Sequence, residues 1–146
     1  MSDLKLLALD SEDLEVISAH VQDALVRVVD MGFSAADNRF ALLINRYVWE
    51  IENKKPLRKN KGERRRAALR FDYVKNVQAK GFDLSSKDGV LELLSIAFEM
   101  NDAPEGILIM NFAGGATLRL SLECLEVRLE DLGAAWSAKA RPKHDL

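Results

Sequence analysis

A chain of 146 residues, 48% of them apolar, suffices for a single domain over 1–146, large enough to bury roughly two thirds of its unfolded surface without a metal or disulfide. One cysteine, Cys124, excludes an internal disulfide. No apolar run nears the about 20 residues of a membrane helix, and LKLLAL (4–9) is too short for a signal peptide, so the chain reads as cytoplasmic. The net charge of −2 hides an asymmetry: residues 54–66, KKPLRKNKGERRR, set eight bases against one acid, a net +7, while thirteen bases and twenty-two acids elsewhere leave −9.

In chain order, LKLLAL reads as a short strand. DSEDLEVISAHVQDA (10–24) follows as a helix, with Asp10 or Ser11 as its cap and acids in its first turn. Leu14, Ile17, Val21 and Leu25 form its apolar stripe. The period then changes. ALVRVVDMGF (24–33) is β-branched, SAADN (34–38) is turn chemistry, and RFALLINRYVWEIE (39–52) is a strand with two largely apolar faces. Phe40, Leu42, Ile44 and Val48 lie on one face, and Leu43, Tyr47, Trp49 and Ile51 on the other.

After the basic loop 54–66, AALRFDYV (67–74) alternates as a half-buried strand, with Ala67, Leu69, Phe71 and Tyr73 inward. KNVQAKGFD (75–83) and VLELLSIAFEM (90–100) are further strands, and NDAPEG (101–106) turns the chain. ILIMNFA and ATLRL flank Gly114–Gly115 as a hairpin with a two-residue turn. Leu122, Leu125, Leu129, Leu132 and Trp136 have the spacing of a closing amphipathic helix, capped by Ser121 and stopped at Gly133, with 137–146 as a tail. The sum is an α+β fold: about seven antiparallel strands in a bent sheet or small barrel, pleckstrin-homology-like, between N- and C-terminal amphipathic helices. Its rival is an open sheet with both helices on one face.

The segments ISAHVQDALVRVVD, NRFALLINRYVWE, RRRAALRFDYV, GVLELLSIAFE, NFAGGATLRL and LEDLGAAW, in this order, resemble a small uncharacterised family of alphaproteobacterial proteins, a domain of unknown function. The resemblance runs from Leu4 to about His144. It implies a bacterial cytoplasmic protein and carries no activity, ligand or catalytic residue.

Candidate chemistry centres on the basic run. Lys54, Lys55, Arg58, Lys59, Lys61, Arg64, Arg65 and Arg66 would neutralise phosphates of nucleic acid or another polyanion, although consecutive charges also suit a solvated loop tip, and no ring within the run stacks bases. The glycine pair suits a hairpin better than an anion nest, for no helix or GxxxxGK[ST] pattern follows it. His20 with Asp23 falls short of a metal site, and His144 lies in the tail; no metal or cofactor is expected. Cys124 reads as a buried small apolar side chain whose nearest cation is Arg128. Glu123 with Glu126, and Glu130 with Asp131, read as a solvated helix face.

No motif with a catalytic mechanism appears. The first expectation is therefore a non-catalytic module that binds another protein through a sheet edge or the basic loop. Polyanion or nucleic-acid binding through 54–66 ranks second. A small enzyme or small-molecule binder whose site assembles in space ranks third, and homo-oligomers fit any of the three.

Overall fold

The computed structural model describes residues 4–48 and 63–132. The helix α1, Ser11–Val21, forms where expected: the Asp10 carboxylate accepts from the Asp13 amide at 2.8 Å, and Leu14, Ile17 and Val21 are buried. The stripe ends at Val21. Asp23 turns into the left-handed region (φ 67°), so Leu25 stands on a strand and is half exposed instead of completing the helix face.

Among the described residues ten strands make one sheet in which every pairing is antiparallel: β1 (Lys5–Ala8), β2 (Ala24–Arg27), β3 (Met31–Ser34), β4 (Arg39–Tyr47), β5 (Arg64–Phe71), β6 (Val74–Lys80), β7 (Val90–Asp102), β8 (Glu105–Phe112), β9 (Thr117–Leu122) and β10 (Val127–Asp131). The strand order is β1-β10-β5-β4-β2-β7-β8-β9-β6, with β3 beside β4. The fold is α+β with one helix among the described residues, and its sheet is not closed, since β1 and β6 are its margins.

Three expectations change. The run 24–33 is two strands joined by a short 3-10 turn at Val28–Asp30, which raises the strand count above seven. Arg64, Arg65 and Arg66 begin β5, so the end of the basic run is strand. The closing helix is absent over 122–132, where the end of β9, a turn and β10 stand; Trp136 lies outside the described residues. Leu122, Leu125 and Leu129 are buried as that stripe demands, but Val127, Leu129 and Asp131 also alternate. Pairing with β1 on one side and β5 on the other satisfies the backbone of β10 as strand.

Two short corners set the shape. β5 and β6 are far apart in the hydrogen-bonded order, yet only Asp72 and Tyr73 link them. Two residues reach only about 7–10 Å, so the sheet must curl back on itself. The Asp72 amide donates to the Glu126 carbonyl (3.1 Å) and the Glu123 amide to that of Tyr73 (2.9 Å), which ties the β5–β6 corner to the β9–β10 corner. The inner face holds one apolar core that includes Phe40, Leu69, Phe71, Met110 and Phe112, with α1 packed on β1, β4 and β7. Ser18 of α1 accepts the Ile96 amide of β7 at 2.9 Å. The hairpin β8–β9 forms, with Gly114 and Gly115 at φ 86° and 90°, although three residues, Ala113–Gly115, turn the chain in place of two.

Candidate binding surface

β6 is the longest described strand paired on one side only. Its inner residues Val77 and Ala79, with Phe82 beyond, are only half covered at the border of the core. Its outer residues lead into a groove of about 1190 Å³ across β6, β9, β8 and β7. The register explains the lining. Gln78, Arg119, Ile109 and Ala97 stand in one cross-strand row, and Lys80, Thr117, Asn111 and Ser95 in the next. Small side chains at Ala97 and Thr117 leave the depth, Asn111 donates to the Ser95 hydroxyl (3.1 Å), and exposed Lys80, Glu99 and Arg119 carry the charge.

Of the eight basic candidates, Lys54, Lys55, Arg58, Lys59 and Lys61 lie outside the described residues. Arg64 is exposed, its guanidinium 5.7 Å from the Tyr47 ring centroid, and it donates to the carbonyls of Asp23 (3.2 Å) and Asn45 (3.0 Å). Arg65 points to the other face, donates to Glu63 at 2.6 Å and stands 3.9 Å from the Asp131 carboxylate. Arg66 sits opposite Asn45 in the ladder. The three arginines are thus divided between the two faces.

The residues that sequence reasoning missed are charges inside the fold. Arg46 occupies the inner face of β4 and Asp131 the inner face of β10, both fully buried at their side chains. Nε of Arg46 donates to Oδ1 (2.8 Å) and Nη2 to Oδ2 (2.9 Å). Asp131 therefore does not belong to a solvated helix face. Among the described residues no buried side-chain nitrogen or oxygen lacks a hydrogen-bond partner. A base on an otherwise apolar alternation, as in Phe40-Leu42-Ile44-Arg46, was the available signal, because such a charge requires a buried partner.

Nδ1 of His20 lies 2.9 Å from the Val16 carbonyl oxygen, and no group of three or more metal-ligating side chains occurs among the described residues. No described helix is long and apolar enough to cross a membrane. Cys124 lies in the β9–β10 turn and is half buried, not part of a helix. Burial pushes its thiol pKa up, and the neighbouring carboxylates of Glu126 and Glu123 add to this. Arg128, the nearest cation in the sequence, is paired with Glu126 at 3.3 Å. Iodoacetamide should therefore alkylate Cys124 more slowly at pH 7.5 than a free cysteine, with the rate rising only above the usual thiol range. A Glu126→Gln variant should react faster.

Residues 4–144 match the family described as "Protein of unknown function (DUF2948)". The chain belongs to that family. No curated protein and no solved structure matches it. Family membership covers nearly all of the chain, including every element of the groove, and assigns chemistry to none of them.

Proposed function

We propose that this protein is a non-catalytic interaction module of the bacterial cytoplasm that takes an extended segment of a partner protein along β6. The observation that carries this reading is the edge of β6, unpaired among the described residues, with the groove beside it. A strand added to such an edge gains main-chain hydrogen bonds, and its side chains alternate between two faces. One row would cover Val77, Ala79 and Phe82. The other would enter the groove beside Gln78, Lys80 and Arg119, where two bases against Glu99 favour an acidic residue. Lys75 and Lys80 on the edge oppose pairing with the same edge of a second copy, so a different chain is the better occupant. The curl of the sheet around one core is what a pleckstrin-homology-like plan requires, and we include that plan in the proposal. Polyanion binding through the basic run finds less support, since Arg64 and Arg65 already hold protein groups.

A displayed library of random ten-residue peptides, selected on the full chain, should yield binders with an acidic residue among alternating apolar ones. Their binding should shift the amide resonances of residues 76–80, and Arg119→Glu should weaken it by at least about tenfold. Binders that map elsewhere, or no enrichment at all, would overturn the reading.

A further inference from the structure

Three arginines share one outer patch on adjacent strands: Arg39 at the start of β4, Arg70 near the end of β5 and Arg128 on β10. Arg70 and Arg128 stand directly opposite in the ladder, where like charges repel. Three acids face that charge: Asp72, Glu126 and Asp37. Asp72, almost buried, accepts Nε of Arg39 at 2.9 Å on Oδ1 and Nε of Arg70 at 3.1 Å on Oδ2, while Glu126 takes Arg128. The bond to Asp72 also raises the pKa of Arg39 above the ordinary arginine value. Both guanidinium groups are therefore fixed through Nε, and their Nη groups make no hydrogen bond to described protein atoms.

Arg39 and Arg70 border a cavity of about 300 Å³ that Asp37, Asn38, Asp72, Tyr73 and Glu126 complete. Strand alternation would send Tyr73 into the core after Ala67, Leu69 and Phe71. Instead its φ of 60° turns it outward, 44% exposed, onto the cavity wall. Left-handed backbone is uncommon at a bulky residue and is kept where surrounding bonds demand it. Here the Glu123 amide holds the Tyr73 carbonyl, and the Val74 amide (2.8 Å) holds that of Asn38, itself at φ 51°.

We propose that this cavity binds a small oxyanion, a carboxylate or phosphoryl group, on the Nη groups of Arg39 and Arg70 with Tyr73 as its wall. Two guanidinium groups oriented by one buried carboxylate are preorganised for such a ligand, because little side-chain freedom remains to be lost on binding. Asp37 and Glu126 on the rim disfavour a second negative charge, so a carboxylate should bind more tightly than a phosphoryl dianion. This site lies apart from the β6 edge and does not depend on the peptide reading.

The test is an NMR titration of the full chain at pH 7 and constant ionic strength, with sodium acetate and inorganic phosphate in separate arms and sodium chloride as the reference. Saturable shifts at the Nε–H groups of Arg39 and Arg70 and at the Tyr73 amide, beyond those of chloride, are expected, with acetate saturating first. Phosphate saturating first would keep the site and assign it to phosphoryl ligands. Arg70→Gln should raise the midpoint at least tenfold, while Arg27→Gln, on the exposed Arg27–Asp30 pair, should leave it unchanged. Shifts that are linear, or equal to those of chloride, would overturn the proposal. The unaltered chain alone decides between these outcomes, even if Arg70→Gln does not fold.

Discussion

Gly106→Ala is expected to destabilise the fold by about 2–3 kcal/mol, the upper part of the range for forcing an extra carbon into a packed site. Gly106 is buried in β8, opposite Met100 of β7, and the Phe98 ring lies across it. A Cβ added there would enter the Phe98 ring and come within 2.6 Å of the Glu99 carbonyl oxygen. The ring can swing aside only by giving up its packing on the core, and the carbonyl belongs to a strand backbone that cannot yield cheaply. No left-handed φ is involved, so the effect is purely steric. Thermal unfolding should show a drop on the order of 10 °C for a domain of this size. In a Phe98→Ala background the same substitution should cost less, since one of its two obstacles has gone. An unchanged melting temperature in the single variant would show that the ring does not pack over Gly106.

Much of the fold was legible because most of its segments obey one period at a time. The helix at 11–21 has its cap and its three- and four-residue spacing, and the β8–β9 hairpin has glycines where positive φ is needed. The stretch from Leu122 to Leu132 obeys two periods, for Leu122, Leu125 and Leu129 satisfy a helix while Leu125, Val127 and Leu129 satisfy a strand. Local pattern does not decide between them. The decision comes from β1 and β5, more than fifty residues away in sequence, whose unpaired backbone groups β10 completes.

The candidate sites were less legible for a related reason. Arg70 and Asp72 are visible in the sequence as the polar face of the strand expected at 67–74, but their meeting with Arg39 depends on the register between β4 and β5. Alternation places Tyr73 in the core only when it is carried two residues past the strand, into a corner where the period no longer holds. The groove could not be read at all: Ala97, Ile109, Thr117 and Arg119 are ordinary residues in a linear chain and gather only through three ladders. The basic run, in contrast, dominates the sequence, and most of its charge lies outside the described residues.

Asp131→Ala is expected to have the largest effect of any single exchange, about 3–5 kcal/mol, because it withdraws a carboxylate from a fully buried guanidinium. The carboxylate also accepts the Leu4 amide at 3.3 Å, so its loss loosens the β1 margin as well as the β4–β5–β10 ladder. Urea unfolding should record this loss almost independently of salt, since a buried pair is poorly screened. Replacing both partners, Arg46→Met with Asp131→Leu, should recover most of the stability, because the cost of burying two charges disappears together with their attraction. What the pair contributes beyond stability is then open to measurement. A strand shifted by one residue moves its inner side chains to the other face, and in β10 such a slip would carry Asp131 away from Arg46. If the charges hold that register, amide exchange across Val127–Asp131 should be faster in the double variant than in the parent even where their unfolding free energies agree. Equal protection would assign register to Val127 and Leu129 alone. A loss below about 1 kcal/mol in Asp131→Ala would mean that Arg46 is not held by Asp131 in the folded chain.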